Sequence, residues 1–269
     1  MDLPMPLAGG LLGRFGFRLG VAMRIAAVDS LLVAIDFAYP MPDALTLARM
    51  REENEPCALE RADGLFPENS YYLAGRKGCA ERMSARAFVA RRLREAAARL
   101  APDYGLLLFD AYRSRETQAD LFQMVLDEVR AAHPDWDAAA VERQARLFAA
   151  HPDDTARFAV LPHNSGGAID LAICRRDTGE ICDFGTAFDA AEPASRTDYF
   201  EAPHDPAQGF SSERWLAVRH NRRVLFNLMK QSGFSNYAEE WWHYDLGDCL
   251  WGQALGVDWV YPSMELEPS

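Results

Sequence analysis

Apolar positions along the chain repeat with two different periods. Phe88, Val89, Leu93, Ala96, Ala97 and Leu100 recur at helical spacing, and Ser84 is a suitable N-cap. The pattern predicts an amphipathic helix over 84–100, closed by Pro102 and Gly105, with Arg91, Arg92, Arg94 and Arg99 on its solvated side. A second helix is predicted from about Glu116 to Ala132 on Leu121, Phe122, Val125, Leu126 and Val129, broken at His133-Pro134. A third follows from about Asp137 to Ala150. A fourth, capped by Ser212, covers about Glu213 to Gln231 and stops at Gly233.

Shorter apolar runs bounded by turn residues read as strands. Leu106 to Phe109, ending at Asp110, is wholly apolar and fits a buried strand. Gly167 to Cys174 is another, with Ile181 onward as its hairpin partner, and Trp241 to Leu246 is the last. Ser30 to Ala38 reads as a strand or buried extended segment ended by Pro40 and Pro42. Residues 43–83 and 186–211 are expected to be loops with short elements. Helices first and strands mostly afterwards predict an α+β fold, a small antiparallel sheet packed by helices, rather than alternating βαβ units.

At 269 residues the chain has room for one substantial core. We read residues 1–30 as a loosely attached leader and 31–269 as one domain. Leu11 to Ala27 is fairly apolar, but Asp2 stands where a signal peptide needs positive charge, and Arg14, Arg18 and Arg24 interrupt the run. Met23 is an alternative start. The absence of any stretch of about 18 uninterrupted apolar residues argues against a membrane span. A net charge of −12 argues against nucleic acid and anionic membranes as partners, since both need a basic surface. The five cysteines form no C-x-x-C pair, and scattered thiols point to a reducing, cytoplasmic setting. Cys174 and Cys182 flank the turn-like Asp177-Thr178-Gly179 and are placed to face each other across a hairpin. Oligomeric state is left open.

Three short segments carry chemistry. His163 and Asp170 would stand roughly 23 Å apart if the chain between them were extended. Two ligands of one zinc, each about 2 Å from the metal, must approach within about 4 Å. A sharp turn is therefore required, and Gly166-Gly167 permits one. The alternative is a hairpin whose Asp accepts backbone hydrogen bonds while the His faces solvent. Glu240 and His243 are three apart, so a regular strand aims them at opposite faces; only a bulge or turn brings them together. The alternative there is that Trp241 and Trp242 anchor the core while Glu240 and His243 are solvated. Arg113 follows the strand ending at Asp110, where it can hold a developing oxyanion or simply pair with Asp110 at the surface. Combined, the first two segments complete a three-ligand zinc site with an open position and a nearby general base. His133, His151, His204 and His220 lie in turns, in a loop or on a polar helix face, and are read as bystanders.

Segments D-A-Y-R at 110–113, H-x-x-G-x-A-x-D at 163–170 and E-W-W-H at 240–243 occur in that order. With D-F-A-Y at 36–39, Asp177 to Glu180, G-T-A-F-D at 185–189 and Asn221 to Arg223, the chain resembles the VanX-type D-alanyl-D-alanine dipeptidases. That family is a branch of the zinc peptidase superfamily containing lysostaphin and Hedgehog-like domains. The resemblance spans about residues 36–250. It implies one Zn2+ on His163, Asp170 and His243, Glu240 as general base and Arg113 stabilising the tetrahedral intermediate. It also implies Asp189, with Tyr39, holding the free amino group of a small dipeptide, in a cell-wall context. Three features depart from the pattern. Leu161-Pro162 stands where the family has small hydroxyl residues implicated in holding the dipeptide's carboxylate, and Ser114 replaces a proline. Residues from about 124 to 158 read as an added helical insert. The alternatives are a cell-wall carboxypeptidase or amidase acting on longer peptides, and a zinc-stabilised binding module without catalysis.

Overall fold

The computed structural model describes residues 24–154 and 158–266. The expected leader lies, up to residue 23, outside the described residues. In chain order the elements are α1 (Ala44–Glu52), β1 (Pro56–Ala58), β2 (Leu65–Pro67), α2 (Ser70–Leu73), β3 (Ser84–Arg86), α3 (Ala87–Ala98) and β4 (Tyr104–Asp110). They continue with α4 (Arg115–Ala132), α5 (Ala138–Ala145), α6 (Pro162–Ser165), β5 (Ala168–Arg175), α7 (Ser212–Gln231), β6 (Ser235–Asn236), β7 (His243–Asp245) and α8 (Cys249–Leu255). The fold is α+β, as the hydrophobic pattern predicts.

Five strands form the main sheet in the order β2-β4-β5-β7-β6, and β1 pairs with β3 in a separate two-stranded sheet. The main sheet is mixed rather than antiparallel throughout, because β2 runs parallel to β4. Strand β4 is buried along its whole length and β5 along all but its last residue. Their near-continuous apolar sequence follows from that double burial. Helices α3 and α7 share one core with these strands through Phe88, Val89, Leu93, Val224, Leu225 and Leu228. Truncating a leucine as enclosed as Leu106 or Leu108 to alanine costs about 2–5 kcal/mol.

Several boundaries differ from the sequence reading. Ser84 does not cap a helix; it pairs with Ala58 in β3, and α3 begins three residues later. Ser30–Ala38 forms no strand. After a short 3-10 turn its carbonyls are taken by side chains of α7: Asn227 donates to Val33 O at 2.9 Å and Lys230 to Asp36 O at 2.6 Å. Those contacts satisfy the backbone in place of a ladder. The third predicted helix ends at Ala145 rather than Ala150. Ser211, not Ser212, caps α7, accepting from Arg214 N at 3.2 Å. Ile181 meets Cys174 in a single antiparallel bridge, and all five cysteines are free thiols.

Helices α4 and α5 pack against each other around a small cluster of their own, Phe122, Val125, Val129, Val141 and Ala145. Gln118, Leu121, Met124 and Val125 of α4 line the cleft described next. Among the described residues no helix is long and apolar enough to cross a membrane.

Candidate active site

Three neighbouring strands bring acidic and imidazole side chains into one row. Asp170 on β5 is the register partner of His243 on β7 and also of Asp110 on β4. The β4–β5 register slips between Leu108 and Asp110, so Asp110 meets Asp170 across an irregularity of the kind found beside active sites. Glu240 reaches the same row through a turn, with His243 N donating to Glu240 O at 3.3 Å just before β7 begins. The E-x-x-H spacing is therefore resolved by a turn in which Trp241 and Trp242 diverge. Trp241 stacks on Phe184 in the core at 4.5 Å, whereas Trp242 lines the cleft.

His163 arrives from the short helix α6, ended by Gly166 at φ +74°. The left-handed conformation favours glycine there, and a Cβ would also press on the end of the Met264 side chain, 2.7 Å from its Sδ. His163 Nδ1 lies 2.7 Å from Ala111 O, which makes it the protonated nitrogen and leaves Nε2 as a lone-pair donor. That Nε2 stands 3.3 Å from His243 Nδ1 and 3.5 Å from Asp170 Oδ2. His243 Nδ1 in turn lies 3.0 Å from Asp170 Oδ1, while its Nε2 lies 2.9 Å from Asp245 Oδ1. One ligand atom from each of His163, Asp170 and His243 thus falls within 4.8 Å of the others, and all three residues are buried. The group could hold a metal ion.

Charge in this pocket is strongly coupled. Burial alone would raise the Asp170 carboxyl, but His163 and His243 outweigh it and hold Asp170 below the usual carboxylate range. Burial opposes protonation of His243, and Asp245 and Asp170 reverse that, leaving its pKa raised. Asp110 is no surface residue: it is 1% exposed, and burial pushes its carboxyl up. Arg113 donates Nε to Asp110 Oδ2 at 2.9 Å and Nη1 to Gln118 Oε1 at 2.9 Å. Its guanidinium lies over the Tyr71 ring at 4.8 Å and 3.8 Å from Asp170 Oδ2. Burial works against its charge, but the carboxylates of Asp110 and Asp170 keep it fully protonated.

One cleft is lined by Arg113, His163, Asp170, Asp189, Glu240 and His243, six of the seven site residues expected from sequence. Glu240 Oε2 lies 3.9 Å from His243 Nδ1, and burial raises its carboxyl pKa. Asp189 adopts φ +61°, which is uncommon outside glycine. Burial, then the Glu240 charge, pushes its carboxyl up to about 8. Tyr39 is not among the cleft's lining residues. Its hydroxyl accepts from Asn236 N at 3.1 Å, and Asn236 Nδ2 donates to Glu240 O at 3.0 Å and His243 O at 2.8 Å. Sequence reasoning missed Asp245, Gln118 and Asn236. Asp245 had a signal, two places after His243 in a three-residue strand, where side chains at i and i+2 share a face; the other two had none.

Fold and cleft together define an α+β domain whose cleft holds a buried His/Asp/His donor group that could take a metal. The chain belongs to the Peptidase M15, D-ala-D-ala dipeptidase, family, whose family model matches residues 75–262. It is 31% identical over 145 residues to a D-alanyl-D-alanine dipeptidase of Enterococcus faecium, covering 54% of this chain and 63% of that one. A D-alanyl-D-alanine dipeptidase of Enterococcus faecalis is 34% identical over 162 residues, 60% of this chain and 71% of that one. One from Synechocystis is 27% identical over 158 residues, 56% and 62% of the two chains. The chain thus spans less than two thirds of two of these three relatives.

Proposed function

We propose that the chain is a zinc-dependent dipeptidase hydrolysing D-Ala-D-Ala or a closely similar small dipeptide. The observation that carries this reading is the approach of His163, Asp170 and His243 donor atoms to within 4.8 Å beside the Glu240 carboxylate. Two imidazoles and one carboxylate suit Zn2+, and each imidazole has its far nitrogen tied, to Ala111 O and to Asp245. Asp110, Asp170, Asp189 and Glu240 also place four carboxyl groups near one guanidinium, an excess that a divalent cation offsets.

His163, Asp170 and His243 would hold the zinc, which would supply Lewis-acid polarisation and acidify water at the site. Glu240 would accept a proton from the attacking water on its carboxylate and return it to the leaving amine, and its raised pKa suits both transfers. Arg113, oriented by Asp110 and Gln118, presents fixed positive charge to the developing oxyanion. Asp189 holds the free amino group, and a carboxylate at a fixed distance from the scissile bond restricts substrates to short peptides. Tyr39 supports this machinery from behind, through Asn236 and the carbonyls of Glu240 and His243.

In this reading residues 31–269 form one catalytic domain with a helical insert at about 124–158. The free thiols and net charge of −12 suit a cytoplasmic enzyme of cell-wall dipeptide metabolism. Zinc stoichiometry measured alongside a dipeptide screen on the same sample tests the proposal. One zinc per chain with D-Ala-D-Ala cleavage is expected. Bound zinc without turnover of any D,D or L,D dipeptide favours a binding module, and faster cleavage of pentapeptides favours a carboxypeptidase.

A further inference from the structure

The cleft does not stop at the acidic group. From Glu240 and His243 it continues into an apolar annex walled by Leu121, Met124 and Val125 of α4 together with Phe148, Phe158 and Leu161. Leu121, Val125, Phe158 and Leu161 are each less than 10% exposed, so this wall is built and not a surface accident. Asp189 reaches the cleft from a different segment. Its neighbour Phe188 stacks on Phe109 at 4.4 Å and packs against Tyr71 and Trp242, none of which belongs to α4 or to the segments flanking the annex.

We propose that the annex receives the side chain of the substrate's second residue, and that the preferred substrates are dipeptides whose carboxyl-terminal residue is bulky and apolar. The inference rests on the dipeptidase reading above. A dipeptide held by its amino group at Asp189, with its peptide bond between Glu240 and Arg113, would turn its second residue towards α4, whose Gln118 is bonded to Arg113 at 2.9 Å one turn before Leu121. An alanine methyl there leaves most of the apolar wall in contact with water or empty space. A leucine- or phenylalanine-sized side chain covers it, gaining both hydrophobic transfer and packing contacts. Leu161 and Pro162, immediately before His163, extend the same apolar surface up to the metal-type group.

The test compares the zinc-loaded protein on D-Ala-D-Ala, D-Ala-D-Leu and D-Ala-D-Phe, with calorimetric binding of the same three to a Glu240→Gln variant. We expect kcat/KM to be at least about tenfold higher for D-Ala-D-Leu or D-Ala-D-Phe than for D-Ala-D-Ala, with Kd in the same order. Met124→Trp and Val125→Phe, which fill the annex from two positions, should bring that ratio towards one. If wild-type protein turns over D-Ala-D-Ala as fast as the bulkier dipeptides, the annex is overturned and the dipeptidase reading stands. The same holds if the filling variants leave the ratio unchanged. Hydrolysis of none of the three by protein carrying stoichiometric zinc overturns the dipeptidase reading and the annex with it.

Discussion

Asp245 Oδ1 lies 2.9 Å from His243 Nε2, on the opposite edge of the ring from Asp170, whose Oδ1 is 3.0 Å from Nδ1. The imidazole is therefore held between two carboxylates, one on each nitrogen. With Nε2 protonated by its bond to Asp245, Nδ1 is free to ligate, and the ring cannot rotate away. Asp245→Ala should lower zinc affinity about 10–100-fold, read by chelator competition at constant pH. Asp245→Asn, which keeps an acceptor for Nε2–H but loses the charge, should fall between that variant and wild type. Unchanged affinity in both would remove Asp245 from any role at the metal.

Glu240 has no part in the donor group itself, although its carboxylate stands 3.9 Å from His243 Nδ1. Binding and catalysis are therefore separable at this residue. Glu240→Ala should keep one zinc per chain by elemental analysis and lose about 10²–10⁴-fold in kcat. Near wild-type turnover would show that another group moves the proton.

How far the sequence speaks for the structure depends on how local the determining interactions are. The α4 and α7 periodicity, with Ser114 and Ser211 at their N-caps, is local, and those helices follow the pattern closely. The apolar runs of β4 and β5 are legible for the same reason. The segment 30–38 misleads because its partners are side chains of α7, almost two hundred residues away. Ser84 misleads because its pairing with Ala58 competes with a capping role that its neighbours make equally plausible. At the site, His163, Asp170 and His243 are legible as a set because ligand chemistry restricts residue type. Asp110 reads as a surface acid, and only the sheet register, with its slip after Leu108, reveals its burial beside Asp170.

Asp189 combines a left-handed backbone, φ +61°, with a carboxyl pushed by burial from 3.8 up to about 8. An acid that binds its proton more tightly when folded stabilises the native state below its unfolded pKa, and that contribution is lost as pH rises from about 4 to about 8. Asparagine tolerates the same φ and cannot ionise. In metal-free protein, Asp189→Asn should therefore match wild type in Tm near pH 4, exceed it increasingly up to pH 8, and keep a constant lead above that. The same variant should raise KM for dipeptides bearing a free amino group, because the carboxyl that can ionise against the incoming ammonium is gone. A constant Tm difference across this pH range would show that the fold does not raise the Asp189 carboxyl.

The loop carrying Asp189 is tied from beneath by Arg222, a side chain 1% exposed that bonds to backbone carbonyls and forms no ion pair among the described residues. It donates to Phe184 O at 2.7 Å, Ala194 O at 2.9 Å and Arg196 O at 2.9 Å, and lies between the rings of Phe200 and Trp241, each 5.3 Å from its guanidinium carbon. Burial pulls its pKa down to about 9, so the fold keeps a costly charge where a hydrocarbon would fit. These carbonyls explain its presence: Phe184 O and Ala194 O would lose this donor in its absence, while Arg196 O would keep only the 3.1 Å bond from Tyr199 N. Arg222→Met, similar in shape but without donors, should destabilise by at least about 3 kcal/mol in urea unfolding. Arg222→Lys, able to serve one or two of the carbonyls, should recover part of that stability. Because the tether bridges the Asp189 loop to the Trp241 side of the Glu240 turn, Arg222→Lys should also raise KM more than it lowers kcat. Equal stability of the methionine variant and wild type would mean that the loop holds its shape without the guanidinium.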